Sequence, residues 1–351
     1  MTVLASGSKG NSAVIAAGST RLLVDAGLSC REILKRMAQA GEDPEQLDAI
    51  LITHEHLDHV AGLSVLARRL NIPVFFTEPT HRAWVRMVTP QRRMTYAKWL
   101  ERMQREKEER AARVASAQGH MPAHMLASAA VAVPEADVDD YILAGLPDEE
   151  EGADELAGQA AATEAEPCEP EETRETAKLD PAFLPAVEYF QAGKRFSVGE
   201  IEVDPFTIPH DAADPCGFVF HARSESIRMA IATDLGYIPP NVKMALREVD
   251  VLLLESNHDL EMLKDGPYPW SVKQRVLSRV GHLSNDAAAE FLLRDYDGGA
   301  HTIVLGHLSE SNNLPELARL AAEQAIGNRM SLLGNRILLA QQAEPLPPIC
   351  L

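Results

Sequence analysis

Ala49-Ile50-Leu51-Ile52-Thr53-His54-Glu55-His56-Leu57-Asp58-His59 is the stretch on which the reading of this chain turns. Its first half is aliphatic and β-branched, the composition of a buried strand. The residues after it, Val60 to Leu70, carry an amphipathic helical pattern. Three imidazoles and a carboxylate therefore leave the end of a strand together. Imidazole suits zinc, manganese or iron, and a carboxylate hardens the set. Residues two apart on an extended strand point the same way, so His54 and His56 can grip one ion. Asp58 and His59 come round the turn and can face a second. The plain alternative is a solvated histidine-rich loop. The residue order, the strand before it and the helix after it argue against that reading.

Two ions need more donors than this motif supplies, and they need a shared carboxylate. Three further positions fit, each at the end of an apolar run. His210 follows Pro205-Phe206-Thr207-Ile208, Asp234 follows Ala230-Ile231-Ala232-Thr233, and His307 follows Thr302-Ile303-Val304-Leu305-Gly306. Asp211 and Asp214 flank His210 and leave open which side chain there is the ligand. His81, His120, His124, His221 and His301 have no motif around them and read as structural or solvated.

The surrounding text alternates strands with helices. Val3–Ala5, Ser12–Ile15, Arg21–Asp25 and Ile72–Phe76 read as strands, Ser29–Gln39 and Arg82–Met87 as helices. The same grammar returns at Ile201–Val203, Gly217–Phe220, Met229–Ala232, Val251–Leu254 and Thr302–Leu305, with helices at Asn285–Leu293 and Pro315–Ala325. At 351 residues the chain can hold one large domain or two. No apolar run is long enough to span a bilayer, and no signal peptide is visible. Cys30, Cys168, Cys216 and Cys350 show no paired spacing. They read as reduced thiols of a cytoplasmic protein.

The net charge of -19 is concentrated. Between Glu135 and Asp180 stand 17 acidic and 2 basic residues. The segment 134–181 is rich in Ala, Glu, Asp and Pro, cannot bury enough apolar surface to order itself, and is expected to be disordered. Before it, 91–133 opens on a helix-forming basic run with Arg92, Arg93, Lys98, Arg102, Arg105, Lys107, Arg110 and Arg113. A solvated helical face and a nucleic-acid contact both fit that run. The expected organisation is a catalytic domain over 1–90 and 182–340, a basic helical insertion, an acidic linker, and a tail over 341–351.

The motif His54-Glu55-His56-Leu57-Asp58-His59, with Asp25 in Leu23-Val24-Asp25-Ala26-Gly27 and Asp234 in Ala232-Thr233-Asp234, resembles the metallo-β-lactamase superfamily. The resemblance implies an α/β fold, an αββα sandwich of two mixed sheets flanked by helices. It makes Asp25 a group that orients a metal ligand and Asp234 a carboxylate bridging two ions. More narrowly, Leu4-Ala5-Ser6-Gly7-Ser8-Lys9-Gly10-Asn11-Ser12, Pro209-His210-Asp211-Ala212-Ala213-Asp214-Pro215, Glu255-Ser256-Asn257-His258-Asp259 and Gly306-His307-Leu308-Ser309-Glu310-Ser311-Asn312-Asn313 are similar to the YycJ (WalJ) family. That likeness covers roughly 1–90 and 185–340, and implies a metal-dependent 5′-to-3′ DNA exonuclease. Leu252-Leu253-Leu254-Glu255 and Gly281-His282-Leu283-Ser284 are further similar to tRNase Z-type enzymes, in which a Glu/His pair moves a proton. The insertion lacks the patterning of the β-CASP domain of RNase J-type exonucleases.

The expectation is a hydrolase of phosphodiester bonds in nucleic acid, DNA before RNA, with two divalent ions, zinc or manganese, with iron admissible. His54, His56 and His210 would hold one ion, Asp58, His59 and His307 the other, with Asp234 between. Glu255 and His282 would assist proton transfer. Ser6, Ser8 and Asn11 in a glycine-rich loop, with Asn257, Ser309 and Asn312, would bind substrate oxygens. A thiolester or lactone hydrolase and a non-catalytic regulatory protein on the same fold are the competing classes. An intact ligand set argues against the second.

Overall fold

The structure is a computed structural model that describes residues 1–89, 105, 180–327 and 336–351. Strands β1 (Thr2–Ala5), β2 (Ser12–Ala17), β3 (Thr20–Val24), β4 (Ala49–Leu51), β5 (Val74–Phe76) and β6 (Val187–Tyr189) form one sheet in that order. Pairing is antiparallel from β1 to β3 and parallel from β3 to β6. The second sheet runs β13 (Arg336–Leu339), β12 (Thr302–Gly306), β11 (Val251–Glu255), β10 (Ile227–Ala232), β9 (Cys216–Ala222), β8 (Ile201–Thr207) and β7 (Phe196–Val198). It is parallel from β13 to β10 and antiparallel from β10 to β7. Both sheets are mixed, as expected.

Alternation along the strands explains the layering. In β3, Leu22 and Val24 enter the core between the sheets, whereas Leu23 joins the core under the helices. In β11, Val251 and Leu253 face the first core, while Leu252 and Leu254 pack on the opposite side. Strands buried on both faces read as continuous apolar runs, which is why β11 and β12 were legible. On the first sheet α1 (Cys30–Ala40), α3 (Leu63–Leu70) and α4 (Glu78–Val88) contribute Ile33, Met37, Leu63, Leu66 and Trp84. On the second, α8 (Asn285–Arg294) and α9 (Pro315–Ile326) contribute Phe291, Leu292, Ala318 and Ala322. The result is the αββα sandwich. Trp84, Phe218 and Phe220 are buried in it, and truncating any one to alanine costs about 3–5 kcal/mol.

The helix expected over Val60–Leu70 is broken into α2 (Leu57–Val60) and α3. Gly62 lies at the break, its N–H donating to Ala26 O at 2.9 Å. A Cβ there would sit 2.1 Å from Leu28 O, so only glycine permits this approach. Helix α4 begins four residues before the expected Arg82, because the Thr77 hydroxyl accepts from Thr80 N and Pro79 stands in the first turn. Strands β6, β7 and β13 and helices α5 (Pro240–Ala245), α6 (Leu260–Asp265) and α7 (Trp270–Val276) have no clear counterpart in the sequence reading. The insertion over 91–133 and the acidic stretch over 134–181, with His120, His124 and Cys168, lie outside the described residues, apart from Arg105, Asp180 and Pro181. No helix among the described residues is long and apolar enough to cross a membrane.

Candidate metal centre

The site forms where strand ends of both sheets meet. Asp25 follows β3, His54 to His59 follow β4, Asp234 follows β10, Glu255 ends β11 and His307 follows β12. Asp25, Asp234 and His307 all have left-handed backbones, with φ of 61°, 62° and 55°. Left-handed φ is unfavourable for residues with a Cβ and persists where surrounding structure holds it. Here it turns each side chain from the strand end into the same space. Gly27 lets the loops close: its Cβ would fall 1.6 Å from Asp58 O.

Four groupings of donor atoms arise among the described residues: His54, His56 and His210; Asp58, His59 and His307; His54, His59 and Asp234; and Asp234, Glu255, His282 and His307. Asp234 belongs to two of them and lies 3.5 Å from His59, 3.9 Å from His210 and 3.6 Å from His307. All seven residues expected as ligands are thus brought together. Asp211 joins none of the groupings; its Oδ2 takes Arg275 Nε at 2.6 Å. At this position it is the histidine that faces the cluster.

The imidazole orientations are set from behind. His59 Nδ1 meets Asp25 Oδ2 at 2.8 Å, and Asp25 is itself held by the N–H and hydroxyl of Thr53. His210 Nδ1 donates to Gly281 O at 3.2 Å, and His307 Nδ1 meets Glu255 Oε1 at 2.9 Å. With one ring nitrogen engaged, the other is presented to the cluster as a lone pair. His54 Nε2, His307 Nε2 and Asp234 Oδ2 are buried without a hydrogen-bond partner. Buried polar atoms without partners are costly, and three of them converging beside other imidazoles fit divalent cations.

The titration pattern has the same sense. Burial pushes His54 well below the usual imidazole value, with neighbouring His59 adding to it. Burial also lowers His210. Burial opposes charge on His59 and His307 too, but Asp234 overrides it, aided by Asp58 and Asp25 at His59 and by Asp58 and Glu255 at His307. Both are held well above the ordinary range. Asp234 and Asp58 are held below the carboxylate range by these histidines, against burial. The carboxylates thus favour positive charge within the cluster, which a divalent ion would supply in competition with protons.

Glu255 holds two histidines at once. Its Oε1 lies 2.8 Å from His282 Nδ1 and 2.9 Å from His307 Nδ1, while Oε2 accepts from the N–H groups of Leu235 and Leu283. Burial raises its pKa, but His282 and His307 outweigh that and bring it to about 2. The sequence reading paired Glu255 with His282; the hold on His307 was not foreseen.

A cavity of ≈ 310 Å³ opens over the cluster, lined on that side by His56, Asp58, His210, Asp234, His282 and His307. Of the residues expected to bind substrate, Ser8, Asn257 and Ser309 line it. Ser6, Asn11 and Asn312 do not. The Ser6 hydroxyl accepts from His307 N, and Asn11 Nδ2 bonds Gly7 O and Asp58 Oδ2 and meets His59 Nε2. Asn312 Nδ2 bonds the hydroxyl of Ser309. Asp211 and Gly281 line the cavity as well, and so, unanticipated, do Tyr268, Val272, Arg275 and Val276. They come from α7 and the turn before it, which carry no metal-ligand signature. Outside the site, His81 bonds the Tyr189 hydroxyl, His221 pairs with Asp204, and His301 Nδ1 meets Thr302 Oγ1 at 2.9 Å.

Residues 5–307 match the family model described as the Metallo-beta-lactamase superfamily. An exodeoxyribonuclease WalJ of Streptococcus pneumoniae is 31% identical over 319 residues, covering 91% of this chain and 85% of the relative. An exodeoxyribonuclease YycJ of Bacillus anthracis is 30% identical over 325 residues, covering 93% and 88%. Among solved structures, the metallo-beta-lactamase fold protein YhfI from Bacillus subtilis aligns with a TM-score of 0.54 at 13% identity, over 98% of this chain and 97% of that one.

Proposed function

Since the chain belongs to the metallo-β-lactamase superfamily, in the family of the WalJ and YycJ proteins, we propose that it is a metal-dependent exonuclease hydrolysing phosphodiester bonds of DNA. The observation that carries the reaction type is the Glu255–His282 pair beside the converged donors. Relatives named exodeoxyribonucleases, aligned over nine-tenths of the chain, favour DNA.

In this reading His54, His56 and His210 would hold one divalent ion, and Asp58, His59 and His307 a second, with Asp234 shared and Asp25 orienting His59. Zinc or manganese suits such a nitrogen-rich set with carboxylates, and iron is admissible. Bound there, the ions supply Lewis acidity, a lowered water pKa and charge neutralisation at phosphorus. The protein residues do the rest. Asn257, Ser309 and Ser8 offer hydrogen bonds to non-bridging oxygens from the cavity wall. His282 is anchored through Nδ1, so Nε2 is the atom free to pass a proton to the leaving oxygen. Glu255 orients the ring and, as an anion on Nδ1–H, offsets the charge of the imidazolium whose Nε2–H is that proton. The free thiols Cys30, Cys216 and Cys350 fit a reducing, cytoplasmic setting. The segment 91–181 is read as an insertion into one catalytic domain.

The test is hydrolysis of end-labelled single- and double-stranded DNA and RNA with added manganese or zinc. Loss of single nucleotides from DNA, abolished by chelator, is expected. Indifference to chelators, or faster cleavage of a thiolester than of any polynucleotide, would refute the reading.

A further inference from the structure

Between Glu255 and His282 the chain leaves the sheet, forms α6 and α7, and returns. The donor cluster alone gives no reason for this excursion to wall the cavity. Val272, Arg275 and Val276, spaced three and four apart, put one face of α7 on the cavity, and Tyr268 lines it from the preceding turn. The wall is braced. Lys273 Nζ donates to Lys264 O and Gly266 O, both at 2.8 Å, and so ties α7 to α6. Asp211 N donates to Val280 O, and His282 N to Val276 O. The wall is thereby fixed to His210's loop on one side and to His282 on the other.

Arg275 has a particular posture. Its Nε meets Asp211 Oδ2 at 2.6 Å, while neither Nη makes a hydrogen bond among the described residues. Its side chain is 62% exposed. Asp211 thus holds the guanidinium by its edge, and the pairing cancels an acid that would otherwise repel an anion. The two free Nη groups form the planar fork that matches phosphate oxygens. From Gly266 to Ser284 the sequence has no Asp or Glu but carries Lys273, Arg275 and Arg279, in a chain of net charge -19. Arg279 is already stacked on Tyr237 at 4.3 Å, and Lys273 is spent on backbone, so Arg275 is the cation of this segment left for a ligand. Tyr268, half-buried and lining the same cavity, offers a ring to a planar group.

We propose that Arg275 and Tyr268 form a nucleotide clamp, in which Arg275 grips the phosphate adjoining the scissile one and Tyr268 stacks on the nucleoside between them. The inference rests on the phosphodiester reading above, and it names the substrate as a polynucleotide with at least two phosphates in reach. A substrate with one phosphodiester and no neighbour engages only half of the wall.

The test is steady-state cleavage of a labelled DNA oligonucleotide by the metal-loaded full chain, with KM followed against salt. Arg275→Ala should raise KM about ten- to hundredfold, the loss of a charged hydrogen bond, with a smaller change in kcat. It should also flatten the slope of log KM against log salt by about 0.7–0.9, one phosphate's worth of counterion. Arg275→Gln keeps a donor to Asp211 but not the charge, and should flatten the slope equally; it serves if the alanine variant does not fold. Tyr268→Phe should keep the native KM, whereas Tyr268→Ala should raise it about fivefold or more. Native KM and native salt slope in both Arg275 variants would overturn the clamp. A native protein that cleaves no polynucleotide would instead refute the exonuclease reading. Fluorescence anisotropy of the labelled oligonucleotide would then judge the clamp separately, with equal affinity for native and Arg275→Gln protein counting against it.

Discussion

Glu255→Gln is the substitution that most sharply separates the roles within this site. The amide is nearly isosteric, so packing is preserved. Its oxygen must stay where Oε2 is, because that atom accepts from Leu235 N and Leu283 N, and an NH2 there would face two donors. The NH2 therefore takes the place of Oε1, opposite His282 Nδ1 and His307 Nδ1. Both nitrogens now donate to a carboxylate; opposite an NH2 they must accept. Each ring would shift its proton to Nε2. For His307 that removes the lone pair aimed at the cluster, and for His282 it alters the proton available to a leaving group. Losing a carboxylate behind a ligating histidine costs about 10–100-fold in metal affinity, roughly 1.4–2.8 kcal/mol. Losing a positioned general acid costs about 10²–10⁴-fold in turnover. The variant should show both losses together, with a Tm in the presence of metal lowered but a cooperative transition kept. Chelator competition gives the affinity, and bis-p-nitrophenyl phosphate hydrolysis at saturating metal gives kcat. His282→Ala is the comparison, since it removes only the second function and should leave metal affinity near native. A Glu255→Gln protein with native metal affinity and reduced kcat would refute the tautomer argument and confine Glu255 to its pairing with His282.

His54→Ala should lower metal content and abolish hydrolysis, checked by elemental analysis and the same phosphodiester assay; full occupancy would remove His54 from the ligand set. Metal-free protein should lose stability in acid. Glu255, at about 2 when folded against an ordinary 4.5, contributes fully above pH 4.5, and that contribution fades as pH falls toward 2, as urea titrations on native and Glu255→Gln protein would register. His258 is lowered by burial to about 4, so its share is complete above its ordinary 6.5 and is lost as pH falls through 4; His258→Asn should flatten the stability profile across that window. Limited proteolysis should cut first within 134–181, whose composition disfavours burial, and leave metal content intact; protection of that segment would contradict its reading as a dispensable linker.

The parts of the fold and site that were legible share one property: their signal is local. A strand buried on both faces, such as Val251–Leu254 or Thr302–Leu305, announces itself by composition, and a ligand placed at its end follows from the strand. His54 to His59 sit in one continuous stretch, so the spacing alone groups them. His210, Asp234 and His307 came from their places at strand ends taken together with their order after that motif and the superfamily resemblance. The fold edges were hidden for the opposite reason. β6 and β7 are only three residues each and expose several side chains, so no run of apolar alternation marks them, and their pairing is decided by neighbours far away in sequence. The same holds for function. Ser6 and Asn11 were expected to touch substrate because a glycine-rich loop resembles an anion cradle. Instead the loop packs against the site's own backbone and ligands: Ser6 steadies His307, and Asn11 steadies Asp58 and His59. A loop motif states which polar groups are available, but the partner that satisfies them comes from tertiary packing. The α7 wall is the clearest instance. Tyr268 and Arg275 stand in a stretch with no spacing that suggests a ligand, and Arg275 gains its posture only from Asp211, 64 residues away. Asp211 was read as a rival to His210 because the two are adjacent in sequence. In the folded chain both line the cavity and stay in touch, Asp211 Oδ1 lying 3.5 Å from His210 Nε2, but His210 joins the donor cluster while Asp211 Oδ2 takes the guanidinium, so one dipeptide serves both the donors and the α7 wall.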